Sequence, residues 1–346
     1  RHTNYDFYMY NSRIEIVQSF KYLGVHLFKN GNWNRTQKRV SQHASFSLHN
    51  LFIVCNQLDL PVSQLCKLFD SLVSPTLNYA AEVWGYHKGP DIETIHTKFC
   101  RKLLGVKKST SLNALYGELG RIPMSIHRKI IMIKYWIKLL NSNEQSLLFK
   151  IYKMLFNDIE NNLNYNKSNW AYHIKTILEE SGLYYIWQNQ FNIFIDLNII
   201  QQRIIDIYCQ QWYSEINNSR RLETYRLFKH NLEFETYLDF IHERKFRIAL
   251  TRFRISSHDL AIERGRYLNL PRENRICNNC NSGLIESEFH FVLTCSKQTE
   301  LRSKYIKRYY YSWPTLHKFS SLLSTKSRNT IRDLSKYIYY ANLQKL

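Results

Sequence analysis

The chain has 346 residues, of which 44% are hydrophobic and 15% aromatic, and glycine and proline are few. Long disordered segments are therefore not expected. A chain of this length is expected to form two or three packed units. Lys and Arg number 48 against 28 Asp and Glu, which gives a formal net charge of +20. Because such an excess repels itself unless a polyanion neutralises it, nucleic acid or an anionic membrane surface is the expected partner, and a basic protein with a solvated positive face is the alternative. Membrane insertion is not expected, because no window approaches the roughly 18 apolar residues of a spanning helix.

The first residues predict a β-hairpin. Residues 5–28 alternate and are rich in Tyr, Phe, Ile and Val, with Asn11-Ser12 as turn residues and residues 20–25 closing the hairpin. The chain begins at Arg1 with neither an initiator Met nor the apolar core of a signal peptide. We therefore expect it to be a fragment of a longer protein.

After Gly31 the apolar period changes to three and four, which predicts an amphipathic helix over 35–58. Pro61 suits the first position of the next helix. The same period predicts further helices at 91–104, 124–141, 144–157, 168–180, 190–216, 219–230 and 234–251, and short helices over 297–346. The Asn-rich stretch 157–169 lacks an apolar period and predicts a linker, and the helical pattern lapses over 265–295. Five tryptophans within helical patterns are interpreted as core residues: Trp84, Trp136, Trp170, Trp187 and Trp212.

Three cysteines and one histidine form a compact motif near the C-terminus. The spacing Cys277-x2-Cys280-x9-His290-x4-Cys295 offers three thiolates and one imidazole, a donor set typical of tetrahedral zinc. A two-residue gap lets the first two sulfurs meet one ion, and one short helical turn can bring His290 and Cys295 together. Since all four ligands come from the protein, no position remains for a catalytic water, and the predicted zinc is structural. The alternative is a chance cluster of buried cysteines.

The other four cysteines stand singly within helical patterns, which is typical of reduced thiols in a nuclear or cytoplasmic protein: Cys55, Cys66, Cys100 and Cys209. Taken together, the patterns predict a mainly α fold with an N-terminal β-hairpin, a helical bundle and a small C-terminal zinc-knuckle domain.

Several segments in order resemble the C-terminal part of non-LTR (LINE-like) retrotransposon reverse transcriptases. The residues before and within the zinc motif look like the zinc-binding region of that family, and those upstream look like its primer grip and thumb. The segments are Phe20–Val25 for the primer grip; Asn78–Gly85, Lys102–Val106 and Leu115–Pro123 for the thumb and the segment after the thumb; and Arg252–His258, Ile262–Arg266, Pro271-Arg272, Arg275–Cys280 and Ile285–Cys295 for the zinc-binding region.

The resemblance implies a division of the chain into five regions. These are 1–30 as the end of the palm with the primer-grip hairpin, 31–156 as a thumb-like helical region, 157–250 as a helical linker region, 251–300 as a zinc-binding (CCHC) domain and 301–346 as a helical tail. The gap before His290 is longer than in the short retroviral knuckle, so the RNA preference of that knuckle does not transfer.

The catalytic part of that family is not in this sequence. Reverse transcriptases hold two magnesium ions on the aspartates of a Tyr-x-Asp-Asp strand, and this chain contains no Asp-Asp pair. In the family that strand precedes the primer grip, so Mg²⁺ and the upstream polymerase domain would lie before Arg1. We expect the chain to be inactive alone as an RNA-directed DNA polymerase.

Basic residues in three places are candidates for nucleic-acid contact. On the primer-grip resemblance, Lys21 and Tyr22 contact the primer strand or are an ordinary strand packed on the palm. Cations around Gly105 either bind phosphate or interact favourably with the dipole at the C-terminus of a helix. Cations that precede the zinc motif either line a nucleic-acid groove or form a solvated face. The candidates around Gly105 are Arg101, Lys102, Lys107 and Lys108; those near the zinc motif are Arg244, Lys245, Arg247, Arg252, Arg254, Arg264, Arg266, Arg272 and Arg275.

Three functions are compatible with these patterns. The favoured one is a thumb and zinc-knuckle region that grips the template–primer and positions RNA or target DNA for an upstream polymerase, which in the family serves target-primed reverse transcription. A second is a stand-alone, non-enzymatic zinc-knuckle protein that binds nucleic acid. A third is the product of a decayed element.

Overall fold

Two small antiparallel hairpins precede the helices in the computed structural model, which describes residues 6–58, 60–161 and 169–344. Strands β1 (Tyr8–Met9) and β2 (Ser12–Arg13) form the first, and β3 (Ser19–Tyr22) and β4 (Val25–Phe28) form the second. The single predicted hairpin is therefore two. Each is closed by a two-residue turn in which both residues have positive φ, as tight hairpins require, and Leu23-Gly24 forms the second turn.

Helices dominate the rest of the described chain, as the sequence predicted. The first half contains α1 (Asn34–Gln57), α2 (Val62–Leu72), α3 (Ser74–Leu77), α4 (Ala81–Trp84), α5 (Pro90–Leu104), α6 (Leu112–Leu119), α7 (Met124–Leu140) and α8 (Leu147–Glu160). Gly117 lies inside α6, where a glycine would ordinarily weaken a helix. The glycine is needed for packing, since an added Cβ there would come within 2.8 Å of the Trp212 ring.

The second half differs more from the prediction. It contains α9 (Trp170–Glu180), α10 (Tyr184–Asn189), α11 (Leu197–Asn218), α12 (Tyr237–Phe240), α13 (Arg244–Arg254), α14 (Ala261–Tyr267), α15 (Thr299–Tyr305), α16 (Arg308–Tyr311), α17 (Leu316–Leu323) and α18 (Arg328–Leu343). The helix predicted over 219–230 is wrong, because only a 3-10 turn forms there, at Tyr225–Leu227. The helix predicted over 234–251 is interrupted at Ile241, whose backbone is extended.

Apolar side chains gather in two clusters. The larger joins α1 to α6 with the end of α11 and with buried apolar residues between Leu222 and Ala341, and the smaller joins α7 to α11. Trp84, Trp136, Trp187 and Trp212 are at most 1% exposed, which confirms them as core residues. The half-buried Trp170 donates from its indole N–H to the Glu82 carbonyl at 2.8 Å.

The predicted region boundaries stay predictions. The boundary at 156/157 falls within the smaller cluster, which contains both Tyr152 and Ile174. Of the predicted linker 157–169, residues up to 160 belong to α8, and 162–168 lie outside the described residues. None of the helices in residues 6–58, 60–161 and 169–344 has the length and apolar character needed to cross a membrane.

The C-terminal region is built on the pairing of α13 with α18. Phe253 of α13 and Tyr337 of α18 both pack against Phe291, and the Tyr337 hydroxyl donates to the Phe291 carbonyl at 2.6 Å. This packing ties the segment between His290 and Thr294 to the main core. It thereby fixes the half of the cysteine–histidine motif that follows residue 289.

Candidate metal centre and basic cleft

The four residues of the cysteine–histidine motif meet in space. The ligand atoms of Cys277, Cys280, His290 and Cys295 all lie within 4.8 Å of one another, and the four side chains are buried. Within this group, called the metal cluster below, Sγ of Cys280 lies 3.3 Å from Nε2 of His290. Three thiols and an imidazole this close together form a cluster that could hold a metal ion.

A tight loop delivers the first two cysteines. Ile276 and Ile285 form an antiparallel bridge at its base, and the Cys277 amide donates to the Leu284 carbonyl at 2.9 Å. Gly283 turns the chain back with a φ of +66°, a conformation that glycine adopts without strain. The loop therefore folds back on itself, and both sulfurs face the same side.

A π-helical turn, His290–Thr294, delivers the other two ligands. The Cys295 amide donates to the His290 carbonyl at 2.8 Å, so the hydrogen bond spans five residues. A π-turn winds more slowly than an α-helix, and residues five apart therefore lie nearly above one another. This geometry is the physical reason why His290 and Cys295 reach one point, as their spacing predicted.

Polar neighbours orient these ligands. Oγ1 of Thr294 lies 3.0 Å from Nδ1 of His290, which leaves Nε2 to face the sulfurs. The side chain of Arg302 donates to the carbonyls of Val292, at 2.8 Å, and Cys295, at 2.5 Å. It thereby satisfies carbonyl groups that the end of the π-turn leaves unpaired.

Burial and hydrogen bonding set the proton affinity of the ligand atoms. Burial raises the pKa of the Cys277 thiol and raises that of Cys295 to about 12, and burial lowers the pKa of His290. Burial also acts to raise the pKa of Cys280, but hydrogen bonds with Ser282 outweigh it and leave that pKa lowered. Since metal ligation needs thiolates, binding of a cation here would release protons.

A cleft of about 690 Å³ runs beside the metal cluster. One wall is the face of α13 that carries Lys245 and Arg252, and Arg264 of α14 contributes a third cation. The lining also includes Asn278 and Asn279, the two residues between the first two cysteines. The loop that carries Cys277 and Cys280 therefore forms part of the wall of this basic cleft.

Other walls of the basic cleft come from α18 and from two carboxylates. Glu286 is 3% exposed and accepts from the Nδ2 of Asn279 at 3.0 Å and from the Ala261 amide at 2.5 Å. Asp259 is paired with Lys107. Lys107 offsets the charge of Asp259, and the three cations that line the cleft outnumber the other carboxylate, Glu286, which gives the cleft its positive character.

Arg254 is the clearest departure from the predicted basic face. It is 2% exposed, its guanidinium lies 3.2 Å from the carboxylate of Glu118 and 2.8 Å from that of Glu235, and it donates to the Leu323 carbonyl. Because α13 turns this residue toward the core, the prediction that Arg254 contacts nucleic acid is wrong. Its neighbour Arg252 is exposed and donates to the Gly105 carbonyl at 2.6 Å.

Four more of the predicted cations are engaged within the protein. Arg266 pairs with Glu263 at 3.2 Å, and Arg272 pairs with Glu223 at 2.5 Å. Arg275 donates to the carbonyls of Leu270 and Ile262, and Arg247 donates to that of Ile241 at 3.1 Å. Two of these cations join distant segments, because Arg272 pairs with Glu223 and Arg266 also donates to the Arg220 carbonyl at 2.8 Å.

The remaining candidates lie in three places. Lys21 and Tyr22 are exposed on β3, and Lys21 stands opposite His26 of β4. Around Gly105, Lys102 covers the Phe52 ring at 4.0 Å and Lys108 is exposed, whereas Arg101 and Lys107 are half-buried. Arg244 is exposed at the start of α13.

Sequence reasoning missed the residues that support the metal cluster. Thr294 is four residues after His290, a spacing that brings side chains together on a helix, so that signal was present. Asn278 and Asn279 were passed over as spacer residues between two cysteines. Glu286 and Arg302 had no local signal, because their roles arise from contacts between segments.

Comparison with family models, with curated proteins and with solved structures gave no match to this chain.

Proposed function

We propose that this chain is a nucleic-acid-binding protein whose C-terminal region is held together by a structural zinc ion. The single observation that carries the proposal is the basic cleft, in which three cations face the same space and the loop of the metal cluster forms part of the wall. Three cations in one cleft favour an anionic ligand, and the +20 charge of the chain favours a polyanion such as nucleic acid.

Zinc is supported by the chemistry of the donor set. Three thiols and one imidazole match the ligand preference of this ion, whereas magnesium and calcium take oxygen ligands. A zinc–sulfur bond of about 2.3 Å places tetrahedral ligand atoms about 3.7 Å apart, and atoms already within 4.8 Å need to move little. The four ligands leave no coordination position for water, so the ion would shape the loop and not catalyse.

The identity of the larger assembly is proposed from the family resemblance of the sequence. The order of segments from Phe20–Val25 to Ile285–Cys295 supports the thumb and zinc-binding region of a non-LTR retrotransposon reverse transcriptase. In that setting the chain would grip the template–primer and position RNA or target DNA for the polymerase, while magnesium would be held elsewhere in the enzyme. A stand-alone zinc-knuckle protein that binds nucleic acid is the alternative, and it would use the same cleft.

Salt titration of binding tests the cleft. The substrates are single-stranded RNA and an RNA–DNA hybrid of about 16 nucleotides. The variant replaces Lys245, Arg252 and Arg264 with Ala, and the control replaces Lys67, Lys88 and Lys153, which removes the same charge from exposed positions outside the cleft. The quantity compared is the slope of the logarithm of the binding constant against the logarithm of the salt concentration. If each lost phosphate contact lowers the size of this slope by roughly 0.7 to 0.9, the cleft variant should lower it by about two to three.

The control variant should keep a slope within about one of the wild type, because charges outside the interface release few counterions. Affinity should fall nearly equally for oligonucleotides of different sequence, since phosphate contacts position the protein on the nucleic acid without distinguishing one base from another. Equal slopes in the cleft and control variants would reject the cleft as the binding site. Failure of the wild type to bind any of the oligonucleotides would reject nucleic-acid binding itself.

A further inference from the structure

Trp313 stands apart from the tryptophans of the core. It is 87% exposed, whereas Trp84, Trp136, Trp187 and Trp212 are buried. Its φ is +57°, a left-handed conformation that is strained for a bulky residue and that neighbouring contacts must enforce. An indole presented to solvent at the cost of backbone strain indicates that its position serves something outside the chain.

Lys318 holds this turn in place. Its ammonium group donates to the Ser312 carbonyl at 2.6 Å and to the Trp313 carbonyl at 3.2 Å. The same ammonium lies 4.9 Å from the centre of the Tyr309 ring. One cation thus fixes the backbone of Trp313 and the ring of Tyr309, which is itself 61% exposed.

The surroundings of the turn are cationic. Residues 301–332 contain Lys and Arg but no Asp or Glu. Lys304 of α15, Lys307 between α15 and α16, and Arg308 of α16 are exposed on the segment that leads to Trp313. Two exposed aromatic rings in a segment without carboxylates favour an anionic partner with planar rings that can stack on them.

We propose that Trp313 and Tyr309 form a stacking site for unpaired bases of single-stranded nucleic acid. The proposal rests on the proposed function and extends it from the basic cleft to a second surface. Base–aromatic stacking accepts every base, and nearby cations hold the backbone that links successive bases. Because α16 packs against the π-turn of the metal cluster, this aromatic site is mechanically tied to the same C-terminal region.

An anionic membrane is the competing partner, since tryptophan, tyrosine and lysine also favour bilayer interfaces. The structure favours nucleic acid for two reasons. Ser312, Thr315 and His317 beside the turn are polar, and the exposed Leu316 adds a single aliphatic side chain to this run, whereas a membrane anchor needs a broad apolar face. Hydrogen bonds from Lys318 also hold the turn in one conformation.

Binding of oligothymidylate and of single-stranded RNA to the full chain tests the site. Trp313→Leu removes stacking but keeps an apolar side chain, and Trp313→Phe keeps an aromatic ring. Phe194→Leu is the matched control, because Phe194 is 92% exposed in another part of the chain. Trp313→Leu should weaken binding by about 5- to 100-fold without changing the salt slope, since no phosphate contact is lost. Trp313→Phe should bind within about threefold of the wild type, and Phe194→Leu should bind unchanged.

The outcomes separate this site from the basic cleft. If the Lys245, Arg252 and Arg264 variant loses affinity and Trp313→Leu does not, the stacking site is rejected and the proposed function stands. If the wild type binds no oligonucleotide, both the stacking site and the proposed function are rejected. Binding to vesicles of phosphatidylserine in phosphatidylcholine is the last measurement. If Trp313→Leu abolishes binding to these vesicles and leaves oligonucleotide binding unaffected, the partner of Trp313 is a membrane and the stacking site is rejected.

Discussion

Oγ1 of Thr294 lies 3.0 Å from Nδ1 of His290, while Nε2 of the same imidazole faces the sulfur of Cys280 at 3.3 Å. A histidine that binds a metal through one ring nitrogen usually donates from the other to a neighbouring group, which fixes its tautomer and its orientation. Thr294 therefore acts on the metal cluster through His290. The contact exists because the π-turn places residues 290 and 294 on the same side.

We expect Thr294→Val to weaken zinc binding by about 10-fold, because loss of such a supporting hydrogen bond typically costs 10- to 100-fold in affinity. Competition with a chromophoric chelator measures the change. The control is Thr94→Val, an exposed helical threonine whose hydroxyl donates to the Pro90 carbonyl far along the chain from the cluster. Equal zinc affinity in Thr294→Val and the wild type would remove Thr294 from the site.

Metal removal should loosen one half of the motif more than the other. The purified chain is expected to carry one zinc per molecule, and Cys280→Ser or a strong chelator should release it. The loop from 277 to 286 has few apolar contacts of its own, whereas Phe291, Val292 and Leu293 belong to the main core. Hydrogen exchange should therefore accelerate over residues 277–286 and change little over 290–295.

Metal analysis of the wild type that finds no zinc would contradict this prediction at its first step. Uniform acceleration across both segments would contradict the second step, and would mean that the metal also holds the π-turn on the core.

Arg254→Ala should destabilise the protein by about 3–5 kcal/mol, because it leaves the fully buried carboxylate of Glu118 without its cation. The matched control is Arg252→Ala, two residues away on the same helix but exposed, for which a loss below about 1 kcal/mol is expected. Urea unfolding followed by circular dichroism compares the two. A loss below about 1 kcal/mol for Arg254→Ala would show that the buried pair contributes little.

Acid should destabilise the fold through the buried His96 and the half-buried His127 before the carboxylates titrate. Burial lowers the pKa of His127 from 6.5 to about 4, and it also lowers that of His96, whose Nε2 accepts from Arg121 at 2.9 Å. The unfolded chain takes up protons near pH 6.5 and the folded chain resists them. The stabilising contribution of these neutral histidines to the free energy of unfolding is therefore complete above pH 6.5 and is lost as the pH falls toward 4.

For His127 the loss between pH 7.5 and pH 5 should be about 1–2 kcal/mol in the free energy of unfolding. His127→Asn should reduce the pH dependence by that amount, whatever its effect on stability at pH 7.5. His43→Asn, at an exposed position on α1, should keep the pH dependence of the wild type. Parallel curves for His127→Asn and the wild type would contradict the prediction.

The sequence by itself determined the mainly helical fold class and the four residues that form the cysteine–histidine cluster. Helices such as α1, α5 and α7 follow from an apolar period that is local, and their bounds differ from the prediction by at most one residue. The ligands of the cluster lie within nineteen residues, so their convergence needs only a turn, a short loop and the hydrogen bonds of a single segment. Local geometry of this kind is legible in spacing.

Only the tertiary structure decided which cations face solvent. Arg252 and Arg254 are two residues apart on one helix, yet the first is exposed and the second is buried between Glu118 and Glu235. Those carboxylates stand far away in the sequence, and a periodic pattern cannot reveal a buried charge whose partner comes from another segment. The same holds for Trp313, because a turn held by Lys318 keeps its indole out of the core while tryptophans elsewhere fill it. Contacts between distant segments, and not the local pattern, set the burial of these side chains.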